Sequence, residues 1–438
     1  MPDTPGAGVW TRAFLLCLVG GVVVSILIGV AFWKITDPAT EWLGSISYTV
    51  IADNVNDRGF YSLDGELPTA WRPPAYPLML AGIKRVFGSH WLIASLAIQS
   101  ILGLACLVLV FVIARNLFDR PLVSVLAPAL VATDGHFQFE VFAQRETILF
   151  TVALLGILAI LSRRNAGAGS FVLVAVLTAG AYLVRPTGFL MVLVLPLLAW
   201  RMTRRGVLPR PARTVALAAA ALILVVLPWH VFVYRNFKTV TFLPSSTSGL
   251  MLYKGATPDL DGVYPMADID LLDPWIRAEL EENDVRGDVA VNRYLRGKAL
   301  AHISARPGRF AYSTLIKVGA LYSPVRTPFG VGDLVEEDGD FTLENWRLIS
   351  PLSLVFAPHA LLILVGSLVF LWRRKPYGGA GGQTMWYFWV FALLVTALHA
   401  VTVGETRYRL FLNPIMCVLT ARVLVAWWDA RARRGTVE

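Results

Sequence analysis

The chain has 438 residues, 56% of them hydrophobic and only 16% charged, with a formal net charge of +9. Its apolar residues come in runs of the length that crosses a bilayer core, which excludes an ordinary soluble globular protein. The basic residues sit in short clusters at the ends of these runs rather than on one face, so the charge reads as topological and gives no case for a nucleic-acid partner. Cys17, Cys106 and Cys417 each lie inside an apolar run, which leaves neither a disulfide framework nor a zinc site.

The first run, Ala13 to Trp33, follows Arg12 and is too long and too poorly terminated for a cleaved leader. It is expected to be a retained helix with its N-terminus in the cytoplasm. A polar stretch from Asp37 to Pro77 follows, carrying Asp37, Glu41, Asp53, Asp57, Asp64 and Glu66, with Arg58 and Arg72 as counter-charges. Tyr76 to Phe87 is short and ends in Lys84 and Arg85, which suits a helix lying in the interface. Trp91 to Ile113 is long enough to span and ends at Arg115 and Arg120. Pro121 to Ala132 returns to a second polar loop, Thr133 to Arg145, with Asp134 and Glu140 inside it and Glu146 at its exit. Thr147 to Leu161, Phe171 to Val184, Thr187 to Trp200 and Val215 to Val233 are the next four spans.

The polar region that follows opens with a loop composition, Pro244 to Gly249. It continues with a charged helical stretch from Asp273 to Glu282 and an amphipathic one from Asn292 to Ile303, where Tyr294, Leu295, Ala299 and Ile303 recur near helical spacing. Ala305 to Gly308 breaks the pattern, and Phe310 to Leu321 is apolar again. Leu352 to Leu371, Trp386 to Val403 and Leu410 to Trp428 complete the chain. Threaded in this order, every basic cluster at a helix end falls on the side of the N-terminus and the acidic loops fall opposite. The expected fold is an all-α polytopic membrane protein of about ten transmembrane helices, with interfacial helices in the first outer loop and a small extracytoplasmic domain. The expected boundaries are residues 1–238 for a first membrane module including the outer loop 34–90, residues 239–347 for the extracytoplasmic region, and residues 348–438 for the last helices. Both termini are expected in the cytoplasm of a plasma membrane.

The spanning runs are almost free of charge, with His230 and His399 the nearest to buried ionisable groups. Transporters and proton pumps place ionisable residues mid-membrane, so this pattern favours work at the outer face. There the topology brings together Arg72, Arg185 and the pair Arg407 and Arg409, from distant parts of the chain. Two of these arginines are followed by prolines that restrict the backbone, in Arg72-Pro73-Pro74 and Arg185-Pro186. Such a convergence suits a shared anion such as a lipid phosphate.

Several motifs then resemble one superfamily. Tyr48 to Ala52, Gly59 and Arg72-Pro73-Pro74-Ala75-Tyr76-Pro77 are similar to the first outer loop of the C-type membrane glycosyltransferases, the protein mannosyltransferases, aminoarabinose transferases and their relatives that use polyprenyl-phosphate sugars. Further matches occur in order: Arg145 to Phe150, Leu183 to Pro186, Leu227-Pro228-Trp229 with Arg235-Asn236, Ser248-Gly249 with Leu252 and Gly255, and His399 with Gly404 to Arg409. The resemblance implies a membrane enzyme that moves a hexosyl or pentosyl group from a polyprenyl phosphate to a glycan, lipid or protein acceptor. It places the donor phosphate at Arg72, and Arg185 and Arg407 are expected to join it. Glu146 takes the position of a second acidic residue at the site. Tyr48, Tyr76, His399 and Glu405 are candidate substrate contacts, and acceptor choice is expected to reside in the region Thr239 to Arg347.

The catalytic base departs from the pattern. Relatives carry an aspartate four residues before the tyrosine matching Tyr48, and this chain has Gly44 there. If Pro38 to Ala52 is helical, Glu41 shares a face with Gly44 and Tyr48, whereas Asp53 lies roughly opposite and needs a break in the helix to serve. Asp37 before Pro38 reads as a helix cap. Loss of the base is a third alternative, which would leave a non-catalytic assembly subunit, and a flippase for a lipid-linked substrate is a further reading from another class. No glycine-rich phosphate loop suggests a nucleotide. The acidic residues present no clear ligand set, so the expectation is no cofactor and no metal, although some members of the superfold use a divalent cation.

Overall fold

A computed structural model of the chain describes residues 7–35, 46–143, 145–257, 274–325, 330–337, 340–348, 351–373 and 380–434. Among them α1 (Ala7–Ile35) is followed by two helices of the first polar loop, α2 (Ile46–Arg58) and α3 (Ala75–Phe87). Then come α4 (Trp91–Phe118), α5 (Pro121–Ala132), α6 (Gly135–Phe142), α7 (Thr147–Leu161), α8 (Ala168–Val184), α9 (Gly188–Arg204) and α10 (Pro211–Phe237). The polar region supplies α11 (Ser248–Ala256), α12 (Pro274–Glu282), α13 (Asp288–Ala305) and α14 (Pro307–Leu321), then an antiparallel hairpin of β1 (Gly330–Glu337) and β2 (Asp340–Leu348). The last helices are α15 (Pro351–Trp372), α16 (Ala380–Val401) and α17 (Asn413–Arg434), with a 3₁₀ helix, Thr406–Leu412, leading into α17.

The chain is a multi-pass membrane protein. Among the described residues six helical stretches are long and apolar enough to cross a membrane: Gly8–Leu27, Ala75–Phe118, Pro211–Phe237, Leu354–Trp372, Gly381–Val401 and Thr406–Arg433. α5, α7 and α8 are shorter apolar helices. Each of the roughly ten runs expected to span is a helix here, but α5 and α7 fall short of the ~20 residues that cross a hydrocarbon core unaided. Their place explains the shortness. α7 is apolar all round and sits in the middle of the main core, with Ile148, Phe150, Leu154, Leu155, Ile157, Leu158 and Leu161 all buried. Residues from α4, α5, α8, α9, α15, α16 and α17 surround it in the same core. Leu224 on α10 and Leu368 on α15 point outward and are exposed, as they must on faces that meet lipid rather than protein.

The helices of the polar region follow the sequence closely. Leu295 and Ala299 of α13 pack on Leu250 and Tyr253 of α11, with Ile276 and Leu280 of α12 beside them. Arg306 ends α13, and Pro307 opens α14 at its first position, where the missing N–H costs nothing. Trp71 of the first polar loop inserts into this same small core, so the two polar segments form one body. Two glycines let that body sit against the membrane helices. A Cβ at Gly255 would collide with the backbone carbonyl of Thr402, just past the end of α16, and one at Gly404 would collide with the backbone of Lys317 in α14.

Gly255→Ala is therefore expected to lower thermal stability by ~1–3 kcal/mol in detergent, because backbone and not a flexible side chain stands in the way. Gly297→Ala in α13, where a Cβ meets open space, should leave stability unchanged or raise it by up to ~1 kcal/mol. Equal losses in the two variants, read by thermal unfolding, would rule out this packing.

Candidate active site

Three chain junctions and one loop meet at a cavity of about 180 Å³. Its lining includes Tyr48, Arg72, Arg145, Glu146, Arg185, Ser245, Thr247, Ser248, Met251, His399, Arg407 and Tyr408. Each charged group reaches it for a local reason. Arg72 follows a segment clamped on both sides: the Tyr61 hydroxyl donates to the Arg72 carbonyl at 3.0 Å and the Pro73 carbonyl at 3.2 Å, while Asp288 accepts from the Thr69 hydroxyl and the Ala70 N–H, both at 2.6 Å. The Arg72 side chain then donates from Nε to Ser47 at 3.0 Å and lies over the Tyr48 ring at 5.0 Å.

Arg185 caps α8 in an extended conformation, φ −148° and ψ 141°, which the following proline enforces. A close turn then starts α9, where a Cβ on Gly188 would come within 2.5 Å of the Ala181 carbonyl. The turn aims a buried guanidinium at the cavity instead of letting it snorkel to headgroups. Glu146 sits at the N-terminus of α7, where the helix dipole favours a carboxylate. Its Oε1 lies 3.5 Å from Arg185 Nε, and the Tyr48 hydroxyl hydrogen-bonds to it. Burial alone would raise the pKa of Glu146, but Arg185, Arg72 and Arg407 together hold it below the usual carboxylate range. Tyr48 moves the other way, well above the ordinary phenol value, mainly through burial and then through the charge of Glu146.

Arg407 belongs to the 3₁₀ helix and is braced from behind by Glu405 at 3.0 Å. His399, on the last turn of α16, stacks on Tyr408 with ring centroids 4.2 Å apart and an interplanar angle of 16°. Arg185 and Arg407 lie over the same Tyr408 ring at 5.3 and 5.0 Å. In the lining, four arginines face the single carboxylate of Glu146. An excess of guanidinium in a partly enclosed space is suited to an oxyanion such as a phosphate.

Of the residues singled out by sequence, Arg72, Arg185, Arg407, Tyr48, Glu146 and His399 come together here. Tyr76 lies behind the lining, buried edge-on against Tyr48 and bonded to Gln99 at 3.2 Å. Glu405 is not in the lining and reaches the site through its ion pair with Arg407 and the Tyr408 N–H that its carbonyl accepts at 3.1 Å. Asp53 points elsewhere: its half-exposed carboxylate is held by Lys84 of α3 at 2.6 Å, consistent with its place on the far face of α2. Glu41 and Gly44 lie outside the described residues. Arg409, grouped with Arg407 in the sequence, turns the opposite way. It donates to the Leu321 and Ser323 carbonyls at 2.7 and 2.8 Å and to Asn413 at 3.0 Å, and Asn413 in turn donates to Asp134 at 2.7 Å. Arg145 and Ser248 stood in the motif matches but were given no role at the site, and Ser245 and Thr247 read only as part of a loop composition. Among the described residues no three His, Cys, Asp or Glu side chains gather as a metal-ligand set.

Comparison with known proteins bears on this arrangement. Residues 71–229 match the family model of dolichyl-phosphate-mannose-protein mannosyltransferases. The oligosaccharyltransferase of Archaeoglobus fulgidus in its apo form superposes with a TM-score of 0.54 at 16% identity, over 97% of this chain and 52% of that one. The chain has the fold of the C-type membrane glycosyltransferases. AglB from the same archaeon, in complex with an inhibitory peptide and a dolichol-phosphate, gives 0.50 at 13% identity over 95% and 51%. ArnT from Cupriavidus metallidurans bound to undecaprenyl phosphate gives 0.38 at 14% over 92% and 77%. The chain spans about half the length of the archaeal enzymes it matches. No curated protein matches it in sequence. In this C-type glycosyltransferase fold the arginine cavity is built from both polar segments, and the family model covers Arg72, Arg145, Glu146 and Arg185 but not Arg407.

Glu146→Gln leaves Arg185 buried without its counter-charge and is expected to cost roughly 3–5 kcal/mol of stability at neutral pH. Because the folded-state pKa is depressed, the contribution of Glu146 is fully present above the ordinary carboxylate value and is lost as pH falls through the lower folded value. The gap in thermal stability between wild type and variant should therefore narrow on acidification. A gap that is constant from neutral pH into the strongly acid range contradicts the charge pairing.

Proposed function

We propose that this protein transfers a sugar from a polyprenyl-phosphate donor to an acceptor at the outer face of a plasma membrane, with both termini in the cytoplasm. The observation that carries the reading is the convergence of Arg72, Arg145, Arg185 and Arg407 on one cavity that also opens to the hydroxyl-bearing loop 245–248. The dolichol-phosphate bound by AglB supports a lipid phosphate as the group these arginines hold.

The chemistry follows from charge. In a single displacement the acceptor oxygen bonds to the anomeric carbon from one side while the bond to the phosphate oxygen breaks on the other, inverting the centre. The donor phosphodiester carries one negative charge, and the departing lipid phosphate carries more. Guanidiniums fixed around it therefore bind the transition state more tightly than the ground state. Glu146 holds Arg185, with Arg72 and Arg407 within its field, and its depressed pKa makes it a poor proton acceptor at neutral pH. We assign the base to Glu41, the other first-loop carboxylate that the sequence offers, and not to Asp53, which Lys84 holds outside the cavity. The lipid carries the activated sugar, so the step needs no nucleotide.

Arg72→Ala and Arg185→Ala should each lower transfer by about 10²–10³-fold and weaken binding of undecaprenyl phosphate to purified protein. Glu41→Gln should abolish transfer while leaving lipid-phosphate binding in place. Mass spectrometry of envelope glycans with and without the protein names the sugar and acceptor. An unchanged glycan profile, together with wild-type transfer in both arginine variants, would sink the assignment.

A further inference from the structure

Four buried side-chain atoms of the cavity lining have no hydrogen-bonding partner among the described residues, Arg145 Nε, Arg185 Nη1, Arg407 Nε and His399 Nε2, and the need of the histidine is opposite to that of the three guanidinium nitrogens. A guanidinium nitrogen can only donate. The histidine is set up to accept. Its Nδ1 lies 3.1 Å from the Val403 carbonyl, an oxygen that has no proton to give, so Nδ1 carries the ring proton. In the neutral imidazole Nε2 is then a bare lone pair. The ring cannot turn to hide it, because His399 is 5% exposed and stacked flat on Tyr408, the ring that also carries the Arg185 guanidinium.

A phosphate oxygen satisfies Arg185 but has nothing for His399, since a lipid-linked phosphodiester has no proton to donate. An occupant that satisfies both must carry an O–H close to its phosphate. In a glycosyl phosphate that group is the hydroxyl on the ring carbon beside the anomeric centre. We infer that His399 Nε2 accepts a hydrogen bond from this hydroxyl and is the residue that selects donors bearing it over 2-deoxy sugars. This rests on the lipid-phosphate transfer reading and narrows its donor to sugars with a free hydroxyl next to the anomeric carbon.

The test measures binding to the purified full-length chain in lipid nanodiscs. The probes are undecaprenyl phosphate, its mannosyl, glucosyl, galactosyl and arabinosyl esters, and the 2-deoxy analogue of whichever ester binds tightest. Wild type should bind that ester about 3–10-fold more tightly than its 2-deoxy analogue, the factor expected for one net hydrogen bond. His399→Asn keeps a side-chain N–H for the Val403 carbonyl but places no acceptor where Nε2 stood. It should bind ester and analogue equally, a ratio read within the one variant. Wild type that does not distinguish the ester from its 2-deoxy analogue overturns the inference without need of a variant. So does a preference that survives in His399→Asn, or a variant that binds every probe as wild type does yet turns over more slowly, which would move the histidine to the acceptor. Wild type that binds bare undecaprenyl phosphate but none of the esters more tightly removes this inference and leaves the phosphate site standing. Failure to bind any lipid phosphate removes the transfer reading itself.

Discussion

The ion pair between Glu146 and Arg185 is what the cavity depends on. One carboxylate at the start of α7 faces a guanidinium at the end of α8, and the Tyr48 hydroxyl closes on the same carboxylate from α2. Two isolated charges removed from water would each cost several kcal/mol, so neither residue could stay there without the other. The arginines outnumber the carboxylate in the lining, which leaves the site short of negative charge in a partly enclosed space. That shortage is what the proposed lipid-phosphate donor would relieve, and it would strengthen the response to charge developing in the proposed transfer.

Holding several guanidiniums close together requires a rigid frame, because like charges drive flexible side chains apart. The frame comes from segments far apart in sequence. Trp71 is buried in the core formed by α11, α12 and α13, Asp288 of α13 grips the backbone just before Arg72, and the Ser246 N–H donates to the Ala70 carbonyl at 2.8 Å. Asp288 is itself half-buried, and its desolvation raises its pKa against the pull of the hydrogen bonds it accepts. The polar region is thus structurally continuous with the first loop, and its serine-rich entry forms part of the cavity wall.

Arg407 and Arg409 show how narrow the margin is between a binding group and a structural one. They are two residues apart on a 3₁₀ helix, whose three residues per turn send them in different directions. Arg407 faces Tyr408 and the cavity. Arg409 is fully buried and spends its donors on carbonyls at the end of α14 and just beyond it, and on the Asn413 to Asp134 connection that ties the start of α17 to the cap of α6.

Much of this was legible in the sequence because it depends on local order. Apolar runs, the basic clusters that end them, the Ala305 to Gly308 break and the prolines after Arg72 and Arg185 each report on their own few residues. They were enough for the all-α membrane fold, for the superfamily resemblance and for the expectation that distant arginines converge. Only the tertiary structure could separate Arg407 from Arg409, take Asp53 out of the cavity, bring Arg145 in, and put the serine-rich loop in its wall. Those outcomes turn on which partner a side chain meets across the molecule. Lys84 lies 31 residues from Asp53, and Leu321 lies 88 residues from Arg409. A hydrogen bond or ion pair at such separation leaves no periodic trace in the chain, so the sequence states which groups need partners and the fold decides who they are.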